Sequence, residues 1–105
     1  MERPELIVSV QRTPSEVVVG LAGEIDLSTA PRLSATVTEL LSESPARVVL
    51  DLGGVTFCDS QGLGTLVVLS RKASLAHSCL VLTNVGDFLL RVLDITGLRP
   101  ALMIS

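Results

Sequence analysis

Arg47-Val48-Val49-Leu50-Asp51-Leu52 is a nearly continuous apolar run of the kind found in a strand covered on both faces. It is read as a central strand. Pro45 closes the segment before it, and Gly53-Gly54 punctuates the chain after it, before Val55 and Phe57 return to the core. Upstream, Leu6-Ile7-Val8-Ser9-Val10 and Val17-Val18-Val19-Gly20-Leu21 are two runs rich in β-branched residues. A polar segment containing Pro14 separates them, so an antiparallel hairpin is expected. Between hairpin and central strand the period changes: Ala30, Leu33, Val37, Leu40 and Leu41 recur at helical spacing. A helix over residues 29–43 follows, with Ser28 or Thr29 as its cap and Pro31 tolerated in its first turn.

Downstream, Leu63, Leu66, Val67 and Ala73 mark a second helix that begins at Asp59-Ser60, with Ser60 at the N-cap position. Cys79-Leu80-Val81-Leu82-Thr83 is a further strand. Asp87 can cap a short helix over residues 88–95 that Gly97 terminates, and Ala101-Leu102-Met103-Ile104 supplies a last strand. Two strands followed by alternating helices and strands give an α/β fold. The expectation is one domain over residues 1–105, with a mixed, mostly parallel sheet of about five strands, three main helices and an N-terminal antiparallel hairpin.

Bulk composition narrows the function classes. The 105 residues suit one domain, and 48% apolar against 18% charged residues predicts a packed core. A net charge of −3 offers no basic field for a phosphate backbone, so nucleic acid is not expected as a partner. Met1-Glu2-Arg3-Pro4-Glu5 lacks the pattern of a secretory signal, and no apolar stretch approaches the ~20 residues of a membrane span. A cytoplasmic protein without a membrane partner is expected. Cys58 and Cys79 are read as reduced structural thiols, and with His77 the sole histidine no metal site or cofactor is expected.

Parallel strands ending near Asp26, Asp59 and Asn84 would gather their loops at one sheet edge, where open α/β sheets place ligand sites. That edge would carry Glu24, Asp26, Asp59, Ser60 and Asn84-Val85-Gly86-Asp87. Capping would leave the Ser60 hydroxyl near the positive end of a helix dipole. Gly62 and Gly64 each cost ~1 kcal/mol relative to alanine in a helix and clear side chains from that turn. Tight packing of the turn and close approach of a partner both account for them.

Taken together, Gly23-Glu24-Ile25-Asp26, Thr29-Ala30-Pro31, Leu33, Asp51-Leu52, Val55, Phe57, Asp59-Ser60, Gly62-Leu63-Gly64 and Ile95-Thr96-Gly97-Leu98 resemble the bacterial anti-sigma-factor antagonists, the STAS-domain family. The resemblance spans residues 5–104. It implies that Ser60 is phosphorylated by an anti-sigma factor that is itself a serine kinase, and that the unphosphorylated form binds this kinase and so releases a sigma factor. A serine phosphatase would reset the switch. Glu24, Asp26, Asp59, Ser60, Gln61, Gly62 and Leu63 would form the partner-binding surface, and the nucleotide belongs to the kinase. Gln61 departs from the family, where serine or threonine is frequent. Many relatives continue into another helix beyond the last strand, whereas this chain stops at Ser105: either the protein is naturally short, or a partner, or a second copy in a homodimer, would cover the surface such a helix occupies.

Two other readings are open. A hydrolase would use Ser60 as nucleophile with His77 oriented by Asp26 or Asp59, but a helix separates His77 from Ser60 and no G-x-S-x-G elbow surrounds the serine. The alternative within the family is a non-switching interaction or scaffold module.

Overall fold

A computed structural model describes residues 6–105; the reading of Met1-Glu2-Arg3-Pro4-Glu5 lies outside the described residues. The strands are β1 (Ile7–Arg12), β2 (Glu16–Ile25), β3 (Arg47–Cys58), β4 (Leu80–Thr83) and β5 (Met103–Ile104). Their spatial order is their chain order, with β1 antiparallel to β2 and every other neighbouring pair parallel. The helices are α1 (Ala30–Leu41), α2 (Ser60–Leu75) and α3 (Asp87–Thr96).

All three helices lie on one face of the sheet. Val17, Val19 and Leu21 of β2, Val48, Leu50 and Leu52 of β3 and Leu80 and Leu82 of β4 alternate inward. They meet Leu33, Val37 and Leu40 of α1, Leu63, Leu66 and Leu69 of α2 and Leu89 and Leu93 of α3 in one buried cluster. The short dimension of the molecule is 20 Å, the thickness of one sheet and one helix layer. The expectation that Arg47–Leu52 is covered on both faces is therefore corrected. Val49 and Asp51 point to a face that no helix covers, and the run reads as continuous because valine stands on that face too.

Glycines 53 and 54 do not end β3. The register with β2 shifts between Gly20 and Ala22 and again between Gly23 and Glu24, each time adding one residue on β3. Two bulges thus carry the strand on to Cys58: the first turns Val55 toward the core and the second restores the original alternation. Cys58 then packs on the core, and Phe57, expected there, faces away and is 45% exposed.

Helix boundaries follow local chemistry. At α1 neither expected residue caps through its side chain: Thr29 is the N-cap but makes no capping bond, its hydroxyl donating to the Glu24 carbonyl at 2.8 Å. Asp26 closes the loop instead, its Oδ1 accepting from the Ser28 and Thr29 amides at 2.9 and 3.1 Å. Asp87 is the first residue of α3 rather than its cap, which is Gly86, and Gly97 stops the helix at a φ of 73° that favours glycine.

Candidate functional site

Because β2, β3 and β4 run in parallel, the loops that follow them share one edge. The β2–α1 loop and the start of α2 are bonded together there. Asp59 takes the N-cap position of α2 with an extended backbone, and its Oδ1 accepts from the Gly62 amide at 2.8 Å. Its Oδ2 accepts from the Leu27 amide at 3.2 Å, and its own amide donates to the Ile25 carbonyl at 3.1 Å. Ser60, expected as the cap, is displaced to the first helical position. Asp caps as well as Ser does, and an aspartate one residue earlier reaches the third amide of the helix. Ser60 is exposed and its hydroxyl is not the one that closes the helix.

Gly62 and Leu63, expected as contact surface, are buried. A Cβ on Gly62 would meet the Ile25 carbonyl oxygen at 2.6 Å and the Cys58 Sγ at 2.7 Å, so this glycine lets α2 lie against the sheet. Gly64 differs: a Cβ there meets nothing within 4 Å. Lying one turn after Ser60 on the same helix face, it leaves the surface beside the serine bare. The two explanations of the glycine pair divide between them, packing for Gly62 and open approach for Gly64.

Around Ser60 the edge is acidic and apolar together. Glu24, Asp26, Leu27, Ser28, Phe57 and Asp59 line a shallow depression of about 440 Å³. Asp26 is 7% exposed, and its Oδ1 also accepts from the Ser28 hydroxyl at 2.7 Å, so its part is to shape the loop. A narrower groove of about 100 Å³ lies between the end of β3 and the start of α3, with Phe57 and Phe88 on its rim. Leu27 and Phe88 are 69% and 70% exposed. The chain has two phenylalanines, and both stand uncovered at this edge. Sequence reading missed Leu27, Phe57 and Phe88 as site residues. The pairing of scarce aromatics with the ends of strands and helices at one edge was the available signal. Asn84 does not join this group: it bonds Asp51 at 3.0 Å on the open sheet face.

Other chemistries find no support in the geometry. His77 follows the C-terminus of α2, a full 16-residue helix, or about 24 Å, from Ser60, so no nucleophile and base pair forms. Among the described residues no three His, Cys, Asp or Glu side chains are grouped to hold a metal ion, and no helix is long and apolar enough to cross a membrane. Burial, aided by the charge of Asp59, pushes the Cys58 thiol up to about 11. Iodoacetamide at neutral pH is therefore expected to leave Cys58 unmodified in the folded protein and to label it once urea unfolds the chain. Mass spectrometry of the digested protein reads this directly.

The model of the family described as "Mlab, STAS domain" matches residues 8–104. The chain belongs to the STAS family. Within it, this STAS domain is similar to the anti-sigma-B factor antagonist of Bacillus subtilis (strain 168), 35% identical over 98 residues that cover 93% of this chain and 89% of that protein. Among solved structures, an anti-sigma factor antagonist from Mycobacterium paratuberculosis superposes with a TM-score of 0.84 at 28% identity, over 96% of this chain and 86% of the other. The phosphorylated form of the Bacillus cell-fate determinant SpoIIAA shares the fold, with a TM-score of 0.72 at 21% identity over 94% and 91% of the two chains. The STAS domain described here is thus an anti-sigma-factor antagonist by family, with a five-stranded sheet and three helices.

Proposed function

We propose that this protein is a partner-switching antagonist whose unphosphorylated form binds an anti-sigma factor carrying serine-kinase activity. Phosphorylation on Ser60 ends that binding, and a serine phosphatase restores it. The protein supplies the acceptor and the docking surface, performs no catalysis, requires no cofactor, and works in the cytoplasm. The observation that carries this reading is the position of Ser60: exposed at the first residue of α2, relieved of capping by Asp59, and beside an acidic and apolar edge. A kinase needs an accessible hydroxyl, and a partner needs an apolar anchor next to it.

Glu24, Asp59, Ser60 and Gln61 form the polar part of this surface, and Leu27, Phe57 and Phe88 the apolar part. Gly62, Leu63 and Asp26 hold it in shape from beneath. Aromatic anchors in the middle of an interface commonly carry ≥ 2 kcal/mol each. Phe57→Ala and Phe88→Ala are therefore each expected to weaken kinase binding at least tenfold while leaving the thermal midpoint nearly unchanged, because both rings are already exposed. Calorimetric titration and a melting curve on the same samples check the pair of results.

The acceptor is tested by incubating the protein with ATP and the candidate anti-sigma kinase, then locating phosphate by mass spectrometry. One phosphate on Ser60, absent in Ser60→Ala, is the expected result. Tight binding without any phosphate would instead assign the chain to the non-switching scaffold class.

A further inference from the structure

Parallel strands are found almost entirely in sheets covered on both faces, yet this sheet carries helices on one face only. The cross-strand register sets out what the other face presents. One row runs Gln11, Val18, Val49, Val81 and Met103, a residue from each strand. Val81 is buried although it lies outside the helix-side cluster, whereas Met103 is 56% exposed. Two residues further along the parallel strands the row is Gly20, Asp51 and Thr83, and two residues earlier it is Glu16 and Arg47. The aliphatic row is thus bordered on one side by the Asp51 carboxylate and on the other by the Arg47 guanidinium, with the Glu16 carboxylate beside Arg47 on the neighbouring strand.

We propose that this open face is the interface of a homodimer, with the valine row of one copy stacked on the valine row of a second about a two-fold axis lying along that row. Such an axis reverses the strand direction between the two sheets. Asp51, two residues after Val49, then faces Arg47 of the second copy, two residues before its Val49, and symmetry forms the reciprocal pair. A two-fold parallel to the strands would instead set Asp51 against Asp51, a like-charge contact. Face-packed sheets lie about 10 Å apart, a gap that an arginine and an aspartate side chain together span. The Asp51 carboxylate is already oriented on this face: its Oδ1 accepts from the Gly53 amide at 2.9 Å and from Asn84 at 3.0 Å. Those two bonds hold its carboxyl below the ordinary carboxylate range, so it stays ionised at neutral pH.

Strands of 6, 10, 12, 4 and 2 residues, ~4.8 Å apart and rising ~3.3 Å per residue, give a footprint of ~500 Å² per copy, or ~1,000 Å² in all. That lies at the lower limit for a specific interface, so the dimer is expected to be weak and reversible. The Ser60 edge lies at the C-terminal ends of the strands and stays accessible in this arrangement.

Sedimentation velocity of the full chain over a concentration series tests the interface. The wild type is expected to move from monomer to dimer, and Val49→Glu and Arg47→Asp are each expected to weaken dimerisation at least tenfold while their circular-dichroism melts remain cooperative. Asp51→Arg alone should also be monomeric, but an equimolar mixture of Arg47→Asp with Asp51→Arg should dimerise, because the mixed pair sets opposite charges against each other at both contacts. A wild type that stays monomeric throughout, or a dimer that both Val49→Glu and Arg47→Asp leave intact, would overturn the proposal.

Discussion

Gly62→Ala is expected to destabilise the fold by about 2 kcal/mol, although alanine is the better helix former. The added Cβ would sit 2.6 Å from the Ile25 carbonyl oxygen, 2.7 Å from the Cys58 Sγ and 2.9 Å from the Ile25 Cγ2. The carbonyl cannot retreat freely, because it accepts the Asp59 amide at 3.1 Å and so joins β2 to the first turn of α2. Relief requires α2 to lift from the sheet, which strips contacts from Leu63 and Leu66. Overpacking of this kind costs ~1–3 kcal/mol, sometimes more, and backbone clashes lie at the upper end; the ~1 kcal/mol gained in helix propensity offsets part of it. Gly64→Ala is the matched control. With nothing within 4 Å of its Cβ, it should gain up to ~1 kcal/mol. Urea unfolding of the two variants against the wild type reads both signs, and a neutral Gly62→Ala would show that α2 is not held at this distance by packing.

Phosphorylation of Ser60 is expected to lower the affinity for the anti-sigma partner by about 30- to 1000-fold, a loss of ~2–4 kcal/mol, without unfolding the domain. A phosphoserine brings ~1.5–2 negative charges at neutral pH. At the first residue of α2 the helix dipole tolerates that charge. The Asp59 carboxylate beside it is already tied to the Gly62 and Leu27 amides, which moderates the repulsion between the two anions within the free protein. A bound partner has no such tolerance. Its surface would close over a strongly hydrated dianion next to Glu24, Asp26 and Asp59, where it had accommodated a neutral hydroxyl. Modification therefore acts on the complex far more than on the fold.

Element types and order were legible in the sequence because the apolar periods of 3.6 and 2 are strong in α1, β2 and the first half of β3. The second half of β3 was not, because bulges have no simple sequence period: Gly53-Gly54 read only as punctuation where the strand bulges, and Phe57 moved from expected core to surface. The central run Arg47–Leu52 suggested cover on both faces because Val49 is as apolar as its inward neighbours; sequence periodicity cannot tell a face covered by a helix from one left open. At the site, the serine was recognisable but its role in the helix was not. Asp59 and Ser60 are adjacent and equally good caps, and only the backbone geometry assigns the cap to Asp59. Burial of Gly62 and Leu63 likewise depends on how closely α2 approaches Ile25, a tertiary distance.

The switch is tested most directly by titrating the purified anti-sigma kinase with the Ser60-phosphorylated and unphosphorylated forms of the protein, each checked by circular dichroism for an intact fold. Two folded forms whose affinities differ by at least 30-fold, the unphosphorylated one binding tighter, are the expected result. Equal affinities of two folded forms would contradict the switch, and the chain would then act as a constitutive binding module.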